Sequence, residues 1–256
     1  MIGKKHEYEA MANTETNLWW YQALHKLSYQ AINSKFGNSK DIAILDAGCG
    51  TGGMLTYLKS KGYNNIKGID LSEDAIGFCK MRGFDVVHSN LLNLTKHFES
   101  QSFDAIICND LLCYLTVEEQ NEVALQINTL LKDNGIWICN VPALDVFKGE
   151  HDIAVGLLQR FTFEDITSVS KNLFRIEENR FWPFLLSPLI YLTRRSQSKS
   201  MKNKTAETAV ESDVKMPHFA LNFIFKFLTL TEFQLPNPIK FGSSLFFIAS
   251  KNKNNT

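Results

Sequence analysis

Between residues 42 and 141, short β-branched and apolar runs alternate with longer segments whose apolar side chains recur every three or four positions. That exchange of a two-residue for a helical period predicts strands separated by amphipathic helices. The runs at 42–46, 66–70, 84–88, 103–109 and 135–141 are the predicted strands, and their alternation with helices predicts parallel pairing with helices on both faces. The fourth is almost wholly apolar at its middle (Ala105, Ile106, Ile107, Cys108), as a strand covered on both sides should be. Local chemistry marks the helix limits. The helix after the first strand runs to about residue 61. Ser72 is the expected N-cap of a helix through 81, with Glu73 and Asp74 in its first turn. Thr116 and Glu119 form a capping box for a helix to 131, which Asn134-Gly135 should end. Beyond it, 162–171 reads as a helix, and 174–180 and 243–250 read as strands six and seven.

Two flanking regions complete the pattern. Residues 8–32 carry Tyr8, Met11, Leu18, Trp19, Leu24, Leu27 and Ile32 at helical intervals, so one amphipathic helix is expected there, with Trp19, Trp20 and Tyr21 too bulky to leave exposed. Between strands six and seven lie two strongly apolar stretches, 181–192 and 219–233, joined by a polar segment from 196 to about 217 that reads as a mobile linker. Neither stretch reaches the ~20 residues needed to cross a bilayer, and Pro183 and Pro188 interrupt the first. Four readings remain open: a membrane-surface patch through 181–195 and 219–233, a lid over a greasy substrate, a homodimer face, or ordinary core helices. The chain is thus one domain: a helical lid (1–40), a core (41–180), the apolar insertion (181–240), and a last strand with its tail (241–256).

The chemistry gathers at Ile42-Ala43-Ile44-Leu45-Asp46-Ala47-Gly48-Cys49-Gly50-Thr51-Gly52-Gly53, a strand running into a glycine loop and then a helix. Its glycines satisfy both G-x-G-x-x-G and the shorter G-x-G-x-G, so the loop alone does not select a nucleotide. Asp46 does more. A carboxylate at the strand end opposes the pyrophosphate of a dinucleotide, and it suits a ligand bearing an ammonium or sulfonium group. Here the chain resembles the class I S-adenosylmethionine-dependent methyltransferases, whose first motif reads as Asp46 to Gly52 does, and whose second acid matches Asp70 in Gly68-Ile69-Asp70-Leu71-Ser72.

The resemblance implies a Rossmann-like seven-stranded sheet with an antiparallel last strand, and S-adenosyl-L-methionine as cofactor. It implies donor contacts from Asp46, Gly48, Cys49, Gly50, Gly52, Asp70 and Leu71. Asn90, where relatives more often carry aspartate, and Leu91 fall at the adenine; Asn109 and Asp110 fall at the methionine end; Trp20 belongs to an aromatic roof. Where relatives often carry arginines after the aromatic pair, this chain has Ala23 and His25. Beyond strand five, Val141-Pro142-Ala143, His151-Asp152, Gly156 and Arg160-Phe161-Thr162 resemble a V-P-A, H-D, G-H-x-R-R-Y-T pattern, with Leu157, Gln159 and Phe161 as departures. His151 with Asp152 is the candidate general base for a hydroxyl or ammonium acceptor, and Tyr114 and Arg160 are candidates for acceptor contact. A small, hydrophobic acceptor methylated on oxygen or nitrogen is the expectation. The rivals are a non-catalytic donor-binding module and a nicotinamide oxidoreductase, which would lack its Tyr-x-x-x-Lys pair here.

Composition narrows the partners. Twenty-seven basic and 27 acidic side chains give no net charge, so no global field argues for nucleic acid. Cys49, Cys79, Cys108, Cys113 and Cys139 form no C-x-x-C pair, which suggests buried thiols in a reducing compartment, with neither a metal site nor a disulfide framework. The opening residues contain no apolar signal segment, so a cytoplasmic protein, with or without peripheral membrane contact, is expected.

Overall fold

A computed structural model describes residues 5–201, 216–236 and 240–252; the side chains of residues 151, 154 and 197–201 lie outside that description. The predicted N-terminal helix is two helices, α1 (Lys5–Thr14) and α2 (Trp19–Phe36). Thr14 turns its hydroxyl back onto the Ala10 carbonyl (2.7 Å), and the polar residues that follow form a tight turn in which Leu18 N–H bonds the Thr14 carbonyl (2.8 Å). Short hydroxyl and amide side chains compete for backbone groups in this way and end helices.

The core then runs β1 (Ile44–Ala47), α3 (Gly53–Ser60), β2 (Ile66–Asp70), α4 (Glu73–Met81), β3 (Val86–His88), α5 (Leu94–His97), β4 (Phe103–Asn109), α6 (Val117–Leu130), β5 (Leu131–Pro142), α7 (Glu150–Ala154), α8 (Phe163–Ser170), β6 (Phe174–Trp182), α9 (Ser187–Met201), α10 (Phe219–Glu232) and β7 (Ser244–Lys251). Ser72 caps α4 by accepting from Ala75 N–H, and both halves of the Thr116–Glu119 capping box are made. A second box, Thr162 with Asp165, starts α8.

The seven strands lie in the order β3-β2-β1-β4-β5-β7-β6, parallel except for β7, which runs antiparallel to both neighbours. One face, with Leu45, Ile106, Cys108, Trp137 and Cys139, packs on α6 and α8 through Ile127, Leu130 and Ile166. The other, with Ile44, Ala105, Ile107 and Ile138, packs on α2 and α3 through Leu24, Ile32, Leu55 and Leu58.

Three boundaries depart from the pattern reading. Asn134-Gly135 does not end α6; it lies inside β5, where pairing with β4 shifts between Phe103↔Leu131 and Ala105↔Ile136, and this irregularity absorbs the turn-forming pair. Strand β6 continues to Trp182, so Phe181 and Trp182 belong to the sheet, paired with Leu245 and Ser244. Helix α9 reaches Met201, taking the first residues of the expected linker; its remainder at 202–215 lies outside the described residues.

Helix α10 is tied to the α1–α2 turn by Asn222, whose side chain accepts from Trp19 N–H (2.9 Å) and donates to the Asn17 carbonyl (2.9 Å), with Phe225 edge-on to Trp19. At its other end the buried Glu232 accepts from Phe184 and Leu185 N–H (2.8 and 2.9 Å). Among the described residues, no helix is long and apolar enough to cross a membrane.

Candidate functional site

The order of strands reverses between β1 and β4, and ligands of open α/β sheets collect beyond the strand ends at such a point. A cavity of about 820 Å³ opens there, lined by the glycine loop, by Asp46, Asp70, Asn109 and Asp110 at strand tips, and by α1 and α2 above.

The loop is shaped from within. Gly48, Gly50 and Gly52 hold positive φ (87°, 51° and 90°), which other residues adopt only under strain. At Gly48 the space of a missing side chain is filled by Leu111 from beyond β4, and at Gly53 by the carboxylate of Glu15. A side chain at Gly52 would meet Cys79 and Phe84, so only glycine fits this turn of the loop.

Asp70 pins the loop to β2. One of its oxygens accepts from Gly50 N–H (2.9 Å) and the other from Ser72 N–H (2.9 Å), and these bonds offset the upward push that burial gives its carboxyl. Asp46, 3% exposed, has no such offset: burial first, then Asp70 and Glu15, push its carboxyl up to about 8. A cation at Asp46 would reverse that penalty.

Glu15 was not anticipated. It is 3% exposed, accepts from Gly53 N–H at the start of α3 (3.0 Å), and is ion-paired to Arg82, which also donates to the Thr51 carbonyl (2.8 Å). The protein therefore supplies its own anion where a dinucleotide would rest its pyrophosphate. The signal was present as an acid in the polar break between two apolar stretches.

Beyond β4, Asp110 takes a positive φ of 52° and lines the cavity. Asn140 donates from Nδ2 to both its oxygens (2.9 and 3.2 Å), and accepts at Oδ1 from Trp182 Nε1 (2.8 Å). Trp182 in turn stacks on Trp20 of α2 (5.7 Å, 18° between planes). Burial lifts the Asp110 carboxyl to about 7, against the bond from Asn140 and the charge of Arg160. Asn140 was also missed, although it is the one amide in the apolar run 136–141.

The stretch after β5 gives Asp152 a further partner. Asp152, 1% exposed, gives one oxygen to Arg160 Nη2 (2.8 Å) and the other to Gly149 N–H (2.5 Å), while Arg160 Nη1 donates to the Ala143 and Ser243 carbonyls (2.9 and 3.3 Å). Both groups line the cavity, where Asp152 holds Arg160 in place. His151 lies in α7 beside that wall; its side chain is outside the described residues.

The other expected residues fall where the strand-end rule puts them. Leu71, Leu91, Cys49, Asn109, Trp20 and Tyr114 line the cavity, and burial raises the Tyr114 phenol. Asn90 lines it too, but its carbonyl oxygen already accepts from Leu92 N–H (3.0 Å), capping the 3-10 turn Leu91–Asn93, which leaves one lone pair for a ligand. His88, His97 and His218 are structural: they bond the Leu71 carbonyl, the Ser89 hydroxyl and Ala220 N–H. All five cysteines are free and buried.

A seven-stranded sheet with this order and an antiparallel β7, bearing an acid before its glycine loop and another at the tip of β2, is the class I methyltransferase fold. Residues 45–139 match the model of the methyltransferase domain family. A ubiquinone biosynthesis O-methyltransferase of Hydrogenovibrio crunogenus (strain DSM 25203 / XCL-2) is 30% identical over 112 residues, 39% of this chain and 46% of that protein. A Geobacillus sp. (strain WCH70) protein named as a methyltransferase is 30% identical over 150 residues, 54% of this chain and 60% of that protein. The chain thus spans about half the length of the curated relatives it matches. In fold it is similar to phosphoethanolamine N-methyltransferase 2 of Haemonchus contortus, solved in complex with S-adenosyl-L-methionine: TM-score 0.57 at 18% identity, over 91% of this chain and 53% of that one.

Proposed function

We propose that this protein transfers a methyl group from S-adenosyl-L-methionine to the oxygen or nitrogen of a small, hydrophobic acceptor. The observation that carries the reading is the pair Asp46 and Asp70 flanking a loop whose helix N-terminus is already closed by Glu15. Such a site favours a ligand with positive charge and ribose hydroxyls over one with a pyrophosphate. That disfavours a nicotinamide cofactor.

The donor brings a methyl on a positively charged sulfur, activated for in-line displacement. What the chain must do is orient and dehydrate, and alignment alone is worth about 7–11 kcal/mol of such a barrier. Asp46 balances the donor's charge, Asp70 has lone pairs left for ribose hydroxyls, and Asn90 retains one toward the adenine. Trp20 and Tyr21 cover the pocket from α2. On the β5 side Phe147, Val155, Leu157 and Ile190 offer the acceptor an apolar wall. His151, in α7 just before Val155, is the candidate to take the acceptor's proton.

Helix α9 extends this wall outward, and α10 lies against α2. Leu189 and Leu192 are half or more exposed, as are Phe219, Phe223 and Phe227, and Ile190 of α9 lines the cavity itself. A peripheral contact with a membrane holding the acceptor accounts for this exposure.

Calorimetry with S-adenosylmethionine and with NADH tests the first claim, and transfer of labelled methyl across a panel of apolar phenols and amines tests the second. Binding of NADH in preference to the sulfonium would overturn the reading. Donor binding with no transfer across the panel would favour a non-catalytic module.

A further inference from the structure

Helix α2 presents a second group to the cavity besides its aromatic residues. His25 is 6% exposed, lines the cavity, and has no hydrogen-bond partner among the described residues. Its ring leans on Tyr21 (centroids 6.2 Å apart) and on Tyr57 (5.6 Å), which lies one turn into α3, the helix that starts at the glycine loop. Leu24, Asp46 and Met54 line the same cavity.

The donor of the proposed reaction carries a carboxylate on the same carbon as its ammonium group, so balancing the ammonium near Asp46 brings an anion into a pocket already lined by Glu15, Asp46 and Asp70. That anion needs hydrogen-bond donors. The loop backbone has few to give. Gly48 and Cys49 N–H bond the Ile69 carbonyl, Gly52 N–H bonds Cys49, Gly50 N–H bonds Asp70, and Gly53 N–H bonds Glu15. Arg160 gives Nη1 and Nη2 to two carbonyls and Asp152 and keeps only a buried Nε unpartnered, and it lies with Arg194 on the β5 side, where α9 packs against α7 and the turn Asp145–Phe147.

We infer that His25 is the residue that receives the donor's α-carboxylate, through an imidazole N–H, and so selects donors that carry the intact amino-acid tail. The inference rests on the proposed donor. Burial lowers the His25 pKa to about 4, so near neutral pH the ring is uncharged, with one N–H to give.

Decarboxylated S-adenosylmethionine keeps the adenosine, sulfonium and ammonium and lacks only the carboxylate, which makes it the matching probe. Calorimetric Kd values would be measured for both ligands on the full chain and on His25→Phe and His25→Gln, with melting curves as the fold check. The expected result is a Kd for S-adenosylmethionine about tenfold weaker in His25→Phe, the worth of one hydrogen bond, with the decarboxylated ligand changed by less than about twofold, as expected when the truncated contact is absent. His25→Gln, which keeps an N–H donor, should recover most of the loss. Equal weakening of both ligands would make His25 a structural residue and overturn the inference, and so would an unchanged Kd for S-adenosylmethionine. Failure of the unsubstituted chain to bind either ligand would instead remove the proposed donor, and this inference with it.

Discussion

Replacing Asp46 by Asn should make the empty protein more stable and the proposed donor a poorer ligand. An acid whose carboxyl is raised from 3.8 to about 8 binds its proton more tightly folded than unfolded. Its contribution favours folding in acid, and is withdrawn as pH climbs from 3.8 toward 8. At about 1.36 kcal/mol per unit, the carboxylate costs the fold about 4 kcal/mol by pH 7. Asparagine keeps the shape and has no charge to bury. With about 2 °C per kcal/mol in a chain of this length, Asp46→Asn should melt about 6–8 °C higher at pH 7, with the gap closing near pH 4. Ligand effects should run the other way. A cationic donor needs the ionised carboxylate, so below pH 8 its affinity in the unsubstituted protein should fall by up to about tenfold per pH unit. Asp46→Asn should lose both that slope and most of the thermal shift given by S-adenosylmethionine. Melting scans from pH 4 to 9, with and without the ligand, read all of this. A variant that melts lower at pH 7, or one whose ligand shift is unchanged, would refute the role given to Asp46.

Two further outcomes follow from buried charges. Arg160→Met leaves Asp152 ionised without its partner and should cost about 3–5 kcal/mol in urea denaturation; adding Asp152→Asn should recover much of it, as a structural ion pair requires. Glu15→Ala uncovers the Gly53 N–H and Arg82 together, and should both lower the melting temperature and create a weak protective response to inorganic phosphate that the unsubstituted chain lacks. Absence of that response would argue against Glu15 as the closure of α3.

Periodicity made the sheet legible because parallel strands covered on both faces must be apolar throughout, as Ile106 and Ile107 are. Acids at strand tips were legible for a similar reason: Asp46 and Asp70 interrupt runs that otherwise have no cause to end in charge. Contacts between distant segments were not. Glu15 meets Gly53 across 38 positions and Asn140 meets Trp182 across 42, and no local pattern carries such a pairing. The Asp152–Arg160 bond was likewise invisible, because the loop that brings the two together across eight positions leaves no periodic trace.

The line Trp20, Trp182, Asn140, Asp110 joins ceiling to floor through the last buried strands. Two surfaces fastened in this way are coupled, since a smaller ring at Trp182 would both unstack Trp20 and release the amide that steadies Asp110. Leu157 and Ile190 line the same cavity outside that line, so a change of size there leaves its bonds in place.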